Sequence, residues 1–98
     1  MAQVEKQGNR LLVSGSMTMN SVNALLGESV QAFSSADLEI DLAAVLEVDS
    51  SAVSLLLEWV RQAQERNTSL AFVNLPKNLL SLAELYGVLE LIPQRTTQ

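Results

Sequence analysis

The sequence predicts an α/β domain with a mixed sheet of four to five strands, in the order β-β-α-β-α-β-α. Short runs with apolar residues at every second position indicate strands, whereas apolar residues three or four positions apart indicate helices. The two patterns alternate in the second half of the chain, and strands joined through a helix should lie parallel. The 98 residues, 48% of them hydrophobic, suffice for a single domain over 1–98 with an ordered core over about 3–92.

The chain should begin with a β-hairpin. Residues 4–6 and 10–14 are the two short runs, and Gly8 and Asn9 between them tolerate the positive φ of a tight turn. A helix should follow, because apolar residues then recur at helical spacing. These residues are Val22, Leu25, Leu26, Val30 and Phe33.

Residues 38–59 combine a strand, a polar turn and the beginning of a second helix. Leu38, Ile40 and Leu42 alternate with acidic residues, as in a strand, and a helical stripe begins at Val53. The polar turn between them consists of Asp49, Ser50 and Ser51. Because a helix N-terminus has unpaired backbone N–H groups, we expect Asp49 to cap the helix, which leaves at least one serine hydroxyl free.

The last third of the chain should add a strand and a third helix. Residues 69–75 form an almost continuous apolar run, which is typical of a strand covered on both faces. Pro76 should start the helix in its first turn, Tyr86 should face inward with the other apolar residues, and Gly87 should end the helix. Residues 88–92 should form either a short edge segment or an extended tail.

Composition disfavours several classes of function. The net charge of −5, with only six Lys and Arg, disfavours binding to a nucleic-acid backbone. The absence of His and Cys excludes Ser-His-Asp triads, thiolate nucleophiles and the common zinc sites, so we expect no enzyme activity, no cofactor and no metal. The N-terminus lacks a signal-peptide pattern, and no run approaches the ~18 apolar residues of a membrane span, so a soluble, cytoplasmic protein is expected.

A second candidate surface runs along one edge of the second helix. At 100° per residue, Ser51, Leu55 and Trp59 lie beside the core stripe rather than at its centre. Trp59 either packs under a flanking helix or contacts a partner, and the pattern favours neither. If exposed, this row would be a small docking stripe, which Leu85 could extend if the second and third helices are neighbours.

Two segments carry a resemblance to a known family. Residues 40–42 (Ile-Asp-Leu) and 48–51 (Val-Asp-Ser-Ser), at their mutual spacing, resemble the STAS domain shared by sulfate transporters and anti-sigma factor antagonists. Residues 13–15 (Val-Ser-Gly) match more weakly, and the resemblance extends over residues 4–92. It implies a domain that works by binding other proteins.

The resemblance includes two functional branches. In anti-sigma factor antagonists, the serine that matches Ser51 is phosphorylated by a partner kinase that also binds the sigma factor. The other branch is the small cytoplasmic STAS subunit of the Mla phospholipid ABC transport system of Gram-negative bacteria. In that branch, the hydroxyl residue that matches Ser50 is implicated in contact with the ATPase subunit.

Two departures from the antagonist pattern favour the transporter branch. Ala52 and Val53 stand where antagonists have Gly-Leu, and residues 15–18 read Gly-Ser-Met-Thr rather than Gly-Glu-Leu-Asp. The resemblance then implies a noncatalytic subunit that supports the ATPase of a system maintaining outer-membrane lipid asymmetry, peripheral to the inner membrane through this partner. The partner-binding residues would be Asp49, Ser50, Ser51, Leu55 and Trp59. The alternative is an anti-sigma factor antagonist switched by an anti-sigma kinase at Ser51.

Overall fold

The protein is built on a four-stranded mixed sheet. A computed structural model describes residues 2–34 and 36–95. The strands are β1 (Gln3–Gln7), β2 (Arg10–Met17), β3 (Asp37–Val48) and β4 (Ser69–Val73), in that spatial order. The β1–β2 hairpin is antiparallel, whereas β2–β3 and β3–β4 are parallel. The predicted mixed sheet and the order of its elements are therefore confirmed.

Three helices connect or follow the strands. They are α1 (Val22–Ser29), which continues as a 3₁₀ segment over Val30–Ser34, α2 (Ser50–Glu65) and α3 (Lys77–Leu85). The first helix was predicted from an apolar pattern that reaches Phe33, and Phe33 is indeed buried, but from the 3₁₀ segment. Leu25 is buried as well, whereas Val22, Leu26 and Val30 are only partly buried, so the pattern identified the inward side although the backbone tightens at Val30.

The core lies between the helices and one face of the sheet. On β2 and β3, the buried Leu11 and Ile40 are cross-strand neighbours, as are Arg10 and Glu39 one position earlier on the opposite face. The largest fully buried side chains come from every layer. They are Trp59, Phe33, Phe72, Leu11, Met17, Leu25, Ile40, Leu42, Leu56, Leu79, Val13 and Val73.

The opposite face of the sheet carries ion pairs. Glu39 binds Arg10 at 2.7 Å and Arg95 at 2.9 Å, and Arg10 lies 3.6 Å from the Asp41 carboxylate. Because Arg95 follows the last helical segment, these contacts hold the end of the described chain against β3. Backbone bonds add to this, since Phe72 N–H donates to the Pro93 carbonyl at 2.8 Å.

The helix and tail boundaries differ from the predictions in three places. Helix α2 begins at Ser50 rather than near Val53, because the Asp49 cap allows the polar residues to form the first turn. Pro76 is the N-cap of α3, with an extended ψ of 147°, rather than a residue of its first turn. Residues 88–92 include a 3₁₀ turn (Leu89–Leu91), after which a single bridge joins Gln94 to Phe72.

The prediction that Tyr86 faces inward is wrong. Its side chain is 53% exposed, because Tyr86 is the C-cap residue, just after the last helical turn, where helical periodicity no longer sets direction. Gly87 follows with a φ of 71°, and its N–H bonds the Glu84 carbonyl at 3.0 Å. The predicted helix end at Gly87 is confirmed, and it leaves Tyr86 outside the core.

Candidate functional site

Asp49 joins two loops at the carboxyl end of the sheet. Its Oδ1 atom accepts a hydrogen bond from the Ser51 backbone N–H at 2.8 Å, which is the predicted cap of α2. Its Oδ2 atom accepts from the Met19 backbone N–H at 3.0 Å, in the loop between β2 and α1. The second bond spans 30 positions of the chain. Asp49 therefore fixes the start of α2 and the β2–α1 loop relative to one another.

These hydrogen bonds favour the ionised form of Asp49. The bond from the Met19 N–H is the largest cause that lowers the pKa of this carboxyl below its ordinary value, and desolvation offsets part of the effect. The Ser51 N–H and the Ser51 hydroxyl lower the pKa further. The cap therefore stays charged and acceptor-only at neutral pH.

The β2–α1 loop is ordered by the Ser21 hydroxyl. It accepts from the Thr18 N–H at 3.0 Å and donates to the Ser16 carbonyl at 2.7 Å. The Met19 side chain is left 73% exposed beside this ordered backbone. Sequence reasoning missed Met19 as a candidate contact, although an apolar residue between Thr18 and Asn20 in a polar loop was a usable signal.

The two serines after Asp49 differ in exposure. Ser50 is exposed, whereas Ser51 is half-buried and lines two grooves, one on each side of α2. Ser54, one turn later, lines the same two grooves. Ser51 and Ser54 therefore form a polar ridge between two depressions, and sequence reasoning missed Ser54.

The groove between α1 and α2 has a volume of about 280 Å³. Leu55 is only 3% exposed and belongs to its floor, while Glu58 lies at its far end and pairs with Arg61. The remaining walls are mostly apolar or uncharged. Its lining consists of Val22, Asn23, Leu26, Ser51, Ser54, Leu55 and Glu58.

The groove between α2 and the segment after α3 has a volume of about 290 Å³. Tyr86 and Val88 form the wall opposite α2, so the exposed tyrosine ring stands across from the serines. Interface energy often comes from such half-exposed aromatic residues. The lining consists of Ser50, Ser51, Val53, Ser54, Leu57, Tyr86 and Val88.

Of the two alternatives left open for Trp59, the structure has the buried one, so Ser51, Leu55 and Trp59 do not form an exposed stripe. Trp59 is 0% exposed, its Nε1–H donates to the Ser29 hydroxyl at 2.7 Å, and its ring centroid lies 6.1 Å from that of Phe72. A helical projection gives the direction in which a side chain leaves its own helix. It does not show which neighbouring element covers that direction. Here α1 covers it, so Trp59 has no surface for a partner.

Leu85 does not extend this region either. It is 76% exposed, yet it lines neither groove beside Ser51. Tyr86, its neighbour in sequence, takes that place. The structure thus brings Asp49, Ser50 and Ser51 together with Met19 and Tyr86.

Residues 2–34 and 36–95 contain neither a metal-binding cluster nor a membrane-spanning helix. No cluster of three or more His, Cys, Asp or Glu in these ranges could hold a metal ion. No helix in them is long and apolar enough to cross a bilayer. The geometry at Asp49 is that of a capped helix start beside two grooves.

Comparison with known proteins gives one family match. A family model described as "Mlab, STAS domain" matches residues 2–93. A search of curated protein sequences found no match.

Several solved structures are similar to this chain over nearly its whole length. The Bacillus anti-sigma factor antagonist SpoIIAA in its unphosphorylated form has a TM-score of 0.75 at 13% identity, over 100% of this chain and 89% of that one. An anti-sigma factor antagonist from Mycobacterium paratuberculosis has 0.70 at 25% identity, over 99% and 86%. An anti-sigma-factor antagonist (STAS) domain protein from Planctomyces limnophilus has 0.73 at 17% identity, over 99% and 91%.

Proposed function

Because this chain belongs to the STAS domain family, we propose that it is a noncatalytic subunit that binds the ATPase of a phospholipid-transporting ABC system. In this role it supports the ATPase, helps to maintain outer-membrane lipid asymmetry, and lies at the cytoplasmic side of the inner membrane only through its partner. The observation that carries the proposal is the fixed, accessible surface at Asp49–Ser51. The description of the matching family model, which shares its name with the Mla system, supports the transporter branch.

The surface is preorganised for contact with a protein. The Asp49 carboxylate accepts hydrogen bonds from the Ser51 and Met19 N–H groups, so it holds the backbone in place. The exposed Ser50 hydroxyl can donate to and accept from a partner, and Met19 supplies an adaptable apolar contact. Because these hydrogen bonds already order the backbone here, a partner would have little ordering cost to offset on association.

The grooves on either side of α2 suit side chains from a partner. A polar ridge of Ser51 and Ser54 between two mostly apolar depressions provides both hydrogen bonds and buried contact area. The exposed Tyr86 ring is the aromatic anchor of this surface. We therefore assign partner contact to Ser50, Ser51, Met19 and Tyr86. A partner could reach Leu55 only at the floor of the groove between α1 and α2.

Copurification with the ABC ATPase subunit tests this proposal. The Ser50→Ala, Ser51→Ala double variant should lose most of the ATPase recovered by the unchanged protein, and the single variants show which hydroxyl makes the contact. Ser69→Ala is the matched control, because Ser69 is an exposed serine at the start of β4. Equal recovery with the double variant and the control would remove Ser50 and Ser51 from the site.

An anti-sigma factor antagonist is the second candidate function. It is supported by the solved structures named above, which are described as anti-sigma factor antagonists. A phosphate on Ser51 would add a charge of about −1.5 to −2 at pH 7. Among the described residues, no Lys or Arg lines either groove beside Ser51, so such a phosphate would act by repelling a fitted partner.

Intact mass measurement separates the two functions. The purified chain is incubated with ATP and an extract of the cells that produce it naturally, with Ser51→Ala as the control. A stoichiometric phosphate that is absent from the Ser51→Ala variant would favour the switch. An unmodified chain that still captures the ABC ATPase supports the transporter subunit.

A further inference from the structure

A third groove, the tail groove, lies where the chain leaves α3. It has a volume of about 520 Å³ and is lined by Glu84, Gly87, Leu89, Glu90, Ile92 and Gln94. Ile92 is only 3% exposed and Leu89 packs against the core, so the floor of the tail groove is apolar and firmly held. It contains neither Ser50 nor Ser51.

The stretch of chain that forms the tail groove also carries exposed apolar side chains, although these do not line the groove itself. Five large apolar side chains in the described part of the chain are strongly exposed, and three of them fall within seven positions. They are Leu85 at 76%, Tyr86 at 53% and Leu91 at 58%. Clustered exposure of this kind is typical of a surface that binds another molecule.

The charge of the tail groove is acidic and uncompensated. Glu84 and Glu90 line it, and neither forms an ion pair within residues 2–34 and 36–95. Glu5 and Glu28 are likewise without an ion pair among the described residues, but they line none of the three grooves. No Lys or Arg lines the tail groove, so its two carboxylates are available to an external cation.

We infer that the tail groove docks a basic amphipathic segment of a partner protein. Lys or Arg side chains of the segment would pair with Glu84 and Glu90, and an apolar side chain would pack on Leu89 and Ile92. A purely apolar segment would desolvate two unpaired carboxylates, and an anionic lipid surface would be repelled by them. A segment that combines both features is the occupant that satisfies the charge and the apolar floor together.

The tail groove is positioned for use together with the surface at Ser50. Tyr86 and Val88 line the groove beside Ser50, whereas Gly87 between them lines the tail groove. Successive residues of one turn therefore face two different depressions. A partner seated on one of them can reach the other across this turn, although docking in the tail groove does not depend on the identity of that partner.

NMR titration of the ¹⁵N-labelled chain tests the inference. The probe is a capped helical peptide of Leu and Lys with the lysines on one face, and its counterpart has Glu at every Lys position. The Lys peptide should produce saturable shifts at the amides of Glu84, Gly87, Glu90 and Ile92, and the Glu peptide should produce none. At low salt the Glu84→Gln, Glu90→Gln double variant should bind the Lys peptide about fivefold to tenfold more weakly, since two exposed ion pairs are lost.

The control variant is the Glu5→Gln, Glu28→Gln pair, which changes the net charge equally at exposed residues outside the three grooves. It should bind within about twofold of the unchanged chain, because distant exposed charges are screened. Equal weakening in both double variants, equal binding of the Glu peptide, shifts centred on Ser50 and Ser51, or no saturable shift would each overturn the inference.

A second variant separates weaker peptide binding from loss of folding. Leu91 is exposed and stands in sequence between Glu90 and Ile92 of the groove lining, so Leu91→Ala should leave the circular dichroism spectrum unchanged while weakening binding of the Lys peptide. Unchanged affinity in Leu91→Ala and in Glu84→Gln, Glu90→Gln, with folding intact, would contradict docking in the tail groove. None of these outcomes depends on whether the serine variants capture an ATPase.

Discussion

The first turn of α2 and its middle turns lie on one helix but have opposite environments. At the start, Ser50 is exposed and Ser51 is half-buried, and the Asp49 carboxylate accepts the Ser51 backbone N–H. About one turn later Leu55 is 3% exposed, and about two turns later Trp59 is fully buried, with its indole N–H bonded to Ser29. The helix therefore contributes its polar start to the surface and its apolar middle to the core.

This contrast teaches that binding and stability are separable along α2. Interior contacts are dense, so removing a buried side chain there costs transfer and cavity energy together. At the capped start, hydrogen bonds to Asp49 order the backbone, and the Ser50 hydroxyl stays accessible. Changes at the middle turns should therefore lower the stability of the domain, and changes at the start should affect partner capture.

The largest effect should come from Trp59→Ala. Removal of this fully buried ring should lower the free energy of unfolding by about 3–5 kcal/mol, because the site between α1, α2 and Phe72 cannot collapse completely. Urea denaturation followed by far-UV circular dichroism measures the loss. Trp59→Phe, which keeps an aromatic ring, should lose less. A small loss in Trp59→Ala would mean that Trp59 is accessible after all.

The second-largest effect should separate Leu55 from Leu85, two leucines that the sequence placed on the same candidate docking stripe. Leu55→Ala should cost about 2–5 kcal/mol of unfolding free energy, because Leu55 is buried on the groove floor. Leu85→Ala should remain within about 0.5 kcal/mol of the unchanged protein, because Leu85 is 76% exposed. Equal losses in the two variants, measured by urea denaturation, would contradict the assignment of Leu55 to the core.

An intermediate effect is expected from Ser29→Ala. The change removes the hydroxyl that accepts the Trp59 indole N–H, and a buried donor left without a partner costs about 1–3 kcal/mol. Comparison of urea midpoints for Ser29→Ala and Ser29→Thr measures it, since threonine keeps the hydroxyl. If Ser29→Ala is as stable as the unchanged protein, the bond contributes little to the α1–α2 contact.

Acid should weaken the cap at Asp49. The folded-state pKa of Asp49 is lowered, so its contribution to stability is complete above its unfolded pKa and is lost as pH falls through the folded pKa. Asp49→Asn should therefore lose less stability than the unchanged protein between about pH 5 and pH 2. The pKa of Glu58 is also lowered, mainly by its hydrogen bond with Arg61, so Glu58 likewise loses stabilisation as pH falls and Glu58→Gln is the comparison variant. Parallel pH curves for the unchanged protein and Asp49→Asn would exclude the cap as a contributor.

The smallest effect on stability should come from the serines. The Ser50→Ala, Ser51→Ala variant should stay within about 0.5 kcal/mol of the unchanged protein in urea denaturation, because neither side chain is packed in the core. If this variant also loses ATPase capture, the loss reflects binding rather than folding. A large destabilisation would instead make these hydroxyls structural.

Local pattern was sufficient for most of the fold. Alternation at Leu38, Ile40 and Leu42 identified β3, and helical spacing identified the buried Leu25 of α1 and Val53 of α2, because side-chain direction follows backbone periodicity within one element. Asp49 was also predictable as a cap, since a helix start needs an acceptor wherever the chain goes afterwards. These features depend on residues a few positions apart.

The sequence by itself thus determined the elements, their order, the family resemblance and the Asp49 cap. Only the tertiary structure decided that α1 covers Trp59, that Asp49 also holds Met19, and that Tyr86 stands across from the serines. Each of these joins residues far apart in the chain, and the angle of a side chain on its own helix does not reveal the neighbour that meets it. For Trp59, the sequence therefore allowed both a core and a surface position, and only the packing of α1 against α2 placed it in the core.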